Sequence, residues 1–212
     1  MDLVTLALAT TLACQVPEND KVVGLWESTA VSRGGIGHNL EFREDGSYTS
    51  AVTVIVDLTY DIKDGSFYMS HNKDEQINYE KGKQIEITES GFTLTDENGE
   101  EEMKTKVTPG TEKTIVGKYK YRHYSGAIAY EKYTSDGIVK FRLPMNSVSG
   151  CYLLHKNTIT ITHSKKEPSE MTYEASDGLL NLKDLKGKHS YNLVPEGAWY
   201  QSKEIDYQKP TE

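Results

Sequence analysis

"LEFREDGSYTS" spans Leu40 to Ser50, and "YEKYTSDGIVK" spans Tyr130 to Lys140. Each stretch writes an aromatic, two polar residues, Asp-Gly and a further alternating run. The two turn glycines, Gly46 and Gly137, stand 91 residues apart. Outward from this pair, other anchors keep the same order. "VVGLW" (Val22–Trp26) matches "IVGKY" (Ile115–Tyr119). "LTYDIKDGSFYM", with Tyr60, matches "GCYLLHKNTITI", with Tyr152. "VTPG", ending at Gly110, matches "VPEG", ending at Gly197. A period near ninety residues is far too long for a solenoid. It marks a tandem duplication with copies over 20–108 and 115–195, joined by "PGTEKT" (Pro109–Thr114). A tail over 196–212 has no partner in the first copy.

Inside each copy the hydrophobic period is two. "NLEFR", "VTVIV", "QIEIT" and "FTLTD" alternate in the first copy, and "VKFRL", "TITITH" and "LLNLKD" in the second. Alternation over short runs defines half-buried strands. Turn chemistry separates them at Asp45-Gly46, Asp64-Gly65, Asn98-Gly99, Asp136-Gly137 and Asp177-Gly178. These dipeptides supply the positive φ of tight hairpins. Hairpin after hairpin reads as an antiparallel meander of about eight strands per copy. A meander hides its edges by closing. The expected fold is therefore all-β, with two tandem small antiparallel up-and-down β-barrels. One larger barrel or sandwich shared by both copies is the competing arrangement.

The 212 residues are 36% hydrophobic and 26% charged, with a formal charge of −8. That balance suits a globular chain and argues against nucleic acid as a partner. The charge is uneven. Residues 22–108 hold 8 Lys+Arg against 17 Asp+Glu, and residues 115–194 hold 12 against 7. Opposite halves would attract each other or face different partners.

"LVTLALATTLAC" (Leu3–Cys14) is apolar and rich in small residues. It is too short to span a bilayer as a helix, which takes ~20 residues, but it suits the apolar region of an export signal. "TTLACQ" resembles a bacterial lipoprotein signal. That resemblance implies removal of residues 1–13, a lipid on Cys14, contact with membrane through that N-terminal lipid only, and an outer-membrane location in the cell envelope. Cys151 is then a lone thiol, buried in the apolar run "SGCYLLH". A Cys14–Cys151 disulfide is the alternative.

The short motifs resemble the bacterial lipocalin-like domains. In the first copy they are Gly24-Leu25-Trp26, Phe42 with Asp45-Gly46, Tyr60, and Leu94 with Gly99. In the second they are Gly117, Tyr133 with Asp136-Gly137, Tyr152, and Leu182 with Gly187 and Tyr191. The resemblance covers residues 20–195. It implies small barrels, a Trp26 that plugs one end, and an interior that holds a small apolar or amphipathic molecule. Tyr119 takes the tryptophan's place in the second copy. Where that family covers its tryptophan with an arginine, this chain offers Lys104 and Lys106, or His189 and Asn192.

The candidate ligand-lining residues are Trp26, Phe42, Tyr119, Tyr121 and Tyr133. Tyr119 and Tyr121 share a face because the strand period is two, and aromatics with polar tips suit amphipathic ligands. The competing reading, that these residues are simply core, is the favoured one. "RGGIGHN" (Arg33–Asn39) begins like a dinucleotide fingerprint, but Leu40 stands where the third glycine belongs and no helix follows. It reads as a mobile loop at a barrel mouth. "TDENGEEE" (Thr95–Glu102) places Gly99 too early for a calcium loop and reads as a hairpin turn. His155 and His163 flank one hairpin and are a weak metal pair. No HExxH, CxxC, GxSxG or phosphate loop appears, so no catalytic residue, metal or cofactor is assigned. Two functions are expected: an exported, lipid-anchored binder of a small hydrophobic molecule, or an envelope module with filled barrels and a protein partner.

Overall fold

The structure is a computed structural model that describes Cys14 and residues 21–70, 74–108, 110–163, 167–194 and 199–200. These residues form fourteen strands and no helix. The first copy supplies β1 (Gly24–Ser28), β2 (Ile36–Phe42), β3 (Ser47–Lys63), β4 (Ser66–Met69), β5 (Lys83–Ile87), β6 (Gly91–Thr95) and β7 (Glu101–Lys106). The second supplies β8 (Gly117–Arg122), β9 (Ile128–Tyr133), β10 (Ile138–His155), β11 (Thr158–His163), β12 (Ser169–Ser176), β13 (Leu179–Asp184) and β14 (Gly187–Leu193). The strands run in chain order around one closed antiparallel sheet, in which β1 meets β14 and β7 meets β8.

All five Asp-Gly or Asn-Gly sites lie in or beside turns. Asp64 and Gly65 (φ 52° and 75°) and Asp177 and Gly178 (49° and 75°) both take positive φ, the signature of a type I′ turn. "TDENGEEE" is the β6–β7 hairpin, with Asp96 Oδ1 accepting from the amides of Asn98 and Glu100.

Two strands are unlike the rest. β3 has 17 residues and β10 has 18. They pair with each other from Cys151↔Ser47 to Ile138↔Thr59, across the middle of the ring. That bridge divides the ring into two circuits. The first contains β1, β2, the start of β3, the end of β10, and β11 to β14. The second contains the end of β3, β4 to β7, β8, β9, and the start of β10. Each circuit therefore has eight strands and draws them from both copies.

The sequence expectation placed one barrel on each copy. Instead, neither copy closes on itself: β7 pairs with β8 rather than β1, and β14 with β1 rather than β8. The reason lies in the long strands. No Gly, Asn or Pro interrupts Tyr48 to Lys63, so this run lacks the Asp-Gly or Asn-Gly chemistry that makes the chain's tight hairpins. It runs straight out of one circuit into the other, as the hinge of a domain swap does. In β10 the turn-type run Pro144-Met145-Asn146 is absorbed as a bulge between Pro144 and Ser147, where proline's missing N–H is tolerated.

The exchange is reciprocal. Tyr60 Oη donates to Thr134 O at 2.8 Å, and Tyr152 Oη donates to Arg43 O at 2.8 Å. Tyr60 N donates to Gly137 O and Tyr152 N to Gly46 O. Each copy's middle tyrosine thus holds the other copy's Asp-Gly hairpin. Charge explains part of this preference. Residues 55–108 carry 6 Lys+Arg against 13 Asp+Glu, while residues 115–143 carry 6 against 2. Exchange brings these two segments into one circuit, where Coulomb attraction favours closure.

Cys14 forms a disulfide with Cys151 on β10. A sulfur in a disulfide cannot also carry a thioether lipid, and Cys151 is not the free thiol that its apolar surroundings suggested. The remainder of the expected signal, residues 1–13, lies outside the described residues. Closing a chain span of 137 residues restricts the unfolded state, an effect of about 2–4 kcal/mol. Reducing agent should accordingly lower the thermal midpoint of the wild-type chain and leave that of Cys151→Ala unchanged.

Candidate functional site

Each circuit encloses one main apolar cluster. In the first, Trp26 and Phe42 pack with Tyr48, Tyr152, Ile159 and Leu180. In the second, Tyr119 and Tyr133 pack with Phe92, Leu94 and Val139. Tyr121 lies lower in the same circuit, beside Ala129 and Leu143. The copies use matched devices. Gly24 (φ 139°) and Gly117 (φ 154°) precede the aromatic by two residues, and a Cβ on Gly24 would lie 2.8 Å from Leu193 Cδ1. The Trp26 indole N–H donates to Val22 O at 2.7 Å, and Tyr119 Oη donates to Thr114 O at 2.9 Å. Four of the five candidate lining residues are buried core and Tyr121 is half-buried.

Burial raises the phenols of Tyr119, Tyr152 and Tyr191, each to about 12. The unfolded chain releases these protons near pH 10, two units before the folded chain does. Stability is therefore fully present below pH 10 and falls between pH 10 and about 12. A spectrophotometric phenolate titration should show these three ionising near pH 12 while the chain stays folded, and near pH 10 once it is unfolded in urea.

The second circuit also holds a polar cluster at positions where the first is apolar. Lys104 and Glu131 are 2% and 1% exposed, and Lys104 Nζ lies 2.6 Å from Glu131 Oε2. Tyr133 Oη donates to Glu131 Oε2 at 2.6 Å, and Tyr121 Oη to Glu131 Oε1 at 3.2 Å. The Lys104 ammonium sits 4.3 Å from the Tyr121 ring centroid, a cation–π distance. Glu102, at 3.6 Å, connects Lys104 outward to Lys83. Burial, and then the Glu131 carboxylate, hold both phenols well above their ordinary value.

Register identifies the counterparts. Tyr119 pairs with Glu131 as Trp26 pairs with Leu40. Lys106 pairs with Tyr119 as Leu193 pairs with Trp26, which sets Lys104 level with Tyr191. The first circuit thus folds with Leu40 and Tyr191 where the second uses an ion pair. Burying that pair has a desolvation cost which apolar residues avoid.

Between the circuits, Arg142 is 5% exposed. Its Nε and Nη2 reach Glu27 Oε1 and Oε2 at 2.6 and 3.0 Å, a bidentate pairing. Its Nη1 reaches Asp57 Oδ1 at 3.0 Å and the carbonyls of Val56 and Phe141. Tyr200 Oη donates to Glu27 Oε1 at 2.8 Å. Trp199 and Tyr200 pack with Leu25 on β1 and Tyr130 on β9. These two tail aromatics thus sit between strands of both circuits.

Among the described residues, two of the surface cavities are lined by none of the five candidate lining residues. One of ≈ 530 Å³ lies at the joint between the copies, beside Lys106, Thr114 and Gly117. The other, of ≈ 740 Å³, lies over Arg142, with Glu27, Asp57 and the loop Val31 to Gly35 as walls. That loop is held by a bond from Ile55 N to Gly35 O at 2.7 Å, and Gly37 to Asn39 belong to β2. His155 pairs opposite Thr158 and His163 opposite Gly150. They stand at opposite ends of β11's pairing, about 16 Å apart by strand rise.

No family model, curated protein or solved structure matches this chain. Sequence reasoning named Lys104 only as a substitute for an arginine, and it missed Glu131, Glu27, Asp57 and Arg142. Their pairings cross from one copy to the other, so no spacing within a copy signals them.

Proposed function

We propose that this chain is an exported module of two eight-stranded barrels that acts through its outer surface on a cell-envelope partner, rather than by carrying an apolar molecule inside. The observation that carries this reading is that the inward-facing aromatics of both circuits pack against one another. Trp26, Phe42, Tyr119 and Tyr133 spend their apolar area on neighbouring side chains, as small barrels commonly do. Export to an oxidising compartment is supported by the Cys14–Cys151 disulfide. Lipid attachment and disulfide formation are alternative states of the same Cys14 sulfur, and the pairing favours the second. The plug role that the lipocalin-like resemblance gives Trp26 is supported by its burial and its bond to Val22 O.

Native mass spectrometry tests the reading on the full chain expressed for export and recovered from a bacterial periplasm. The expected mass is that of the processed chain with one disulfide and nothing else. A lipophilic mass that leaves on denaturation would restore internal carriage. A diacylglycerol adduct on Cys14 would restore the lipid anchor.

A further inference from the structure

We propose that the groove over Arg142 binds a short zwitterionic peptide, which gives the surface-acting module proposed above its first ligand class. The groove has three kinds of unclaimed capacity. Among the described residues, the Arg33 guanidinium on its lip makes no ion pair or hydrogen bond. Asp57 uses Oδ1 on Arg142 and leaves Oδ2 unbonded. Val31, Ile55 and Val56 provide an apolar wall. The buried charges at the base cancel locally, because both Glu27 oxygens are taken by Arg142 and Tyr200. Asp74 also lines the groove but already has a partner, so the capacity left for a ligand is the Arg33 cation and one Asp57 carboxylate oxygen. A peptide's free carboxylate suits Arg33, since guanidinium binds carboxylates as a planar fork. Its ammonium suits Asp57.

The remaining lining fits the same ligand. The Asn192 amide and the Ser28 hydroxyl face the groove, and Ser28 Oγ already accepts from His38 N. They match the amide groups of a peptide backbone. Gly34 has room at its Cβ position, with only Ser32 Oγ within 4 Å at 3.9 Å. Glycine at such a place lets a ligand backbone approach closely. The volume of ≈ 740 Å³ lies within the usual range for small-ligand sites.

Calorimetric titration of the full chain with the tripeptide Ala-Val-Ala tests the assignment. One molecule should bind per chain, and the same peptide acetylated and amidated at its ends should bind at least about tenfold more weakly. Asp57→Asn and Arg33→Gln should each weaken binding about tenfold. Gly34→Trp should abolish it while leaving the circular dichroism unchanged. Absence of heat at millimolar peptide, equal binding of the blocked peptide, or wild-type affinity in both charge variants would each overturn the proposal. A lipophilic mass found inside the barrels would count against the filled-interior reading and leave this titration as it stands.

Discussion

Lys104→Ala is expected to lower the stability of the folded chain by about 3–5 kcal/mol, because it leaves the Glu131 carboxylate buried without its cation. The phenols of Tyr121 and Tyr133 bond the same carboxylate, and two neutral donors replace an ammonium only in part. The paired variant Lys104→Tyr with Glu131→Leu copies the residues of the first circuit. It should recover most of that loss or exceed wild type, as apolar replacements of buried ion pairs often do. Urea unfolding of the three proteins measures both effects. A small loss from the single change would mean that the pair is weaker than its geometry indicates.

The ion pair also selects how the chain closes. Lys104 comes from β7 of the first copy and Glu131 from β9 of the second. If each copy closed on itself, β7 would lie against β1, and Lys104 would face the apolar Trp26 and Leu40. Glu131 would face Tyr191. Two unpaired buried charges are a heavy penalty on that alternative, whereas the exchanged closure satisfies both. The buried charges thus oppose the self-closed fold, although they contribute little net stability to the exchanged one.

Arg142→Ala should have an effect of similar size, about 3–5 kcal/mol, for the same physical reason. It strips the Glu27 carboxylate of its bidentate partner and removes the bond to Asp57. The consequence extends to the tail. Tyr200 donates to that same Glu27 oxygen, and Trp199 packs on Tyr200 with ring centroids 5.1 Å apart. Loosening Glu27 weakens the seat of both rings. The variant should therefore show a red-shifted Trp199 emission under conditions where it is still folded, measured with Trp26→Phe as background. Arg142→Lys should rescue stability only partly, since an ammonium cannot reproduce the fork. A blue Trp199 emission in Arg142→Ala would mean that the apolar contacts with Leu25 and Tyr130 hold the tail unaided.

The local structure was legible in the sequence. Alternation marked the strands, Asp-Gly marked hairpins, and the matched anchors Gly24 and Gly117, Phe42 and Tyr133, and Tyr60 and Tyr152 occupy matched places in the sheet. The path between the copies was not legible. Self-closed and exchanged arrangements use nearly the same strand pairs, so a pattern within one copy fits both equally. Two features distinguish them. One is the run from Tyr48 to Lys63, which holds no Gly, Asn or Pro. The other is the mismatch between Lys104 with Glu131 and Leu40 with Tyr191, which acquires meaning only once the copies are aligned and the strands closed. The opposite charge of the halves was visible as well. It acts within the second circuit, between residues 55–108 and 115–143, and not between one copy and the other as separate bodies.

The five aromatic candidates illustrate a further limit. A tyrosine facing inward on a strand has the same spacing whether it lines a cavity or fills it. Only the size and packing of the opposite residues decide, and for Tyr119 and Tyr133 these include Phe92 at ring distances of 4.8 and 5.3 Å.

Cross-strand nuclear Overhauser effects on perdeuterated, amide-protonated chain test the exchange of halves most directly. The account predicts contacts between the backbones of Trp26 and Leu193, and of Tyr119 and Lys106. Contacts between Trp26 and Lys106, with Tyr119 against Leu193, would mean that each copy closes on itself, and would contradict it.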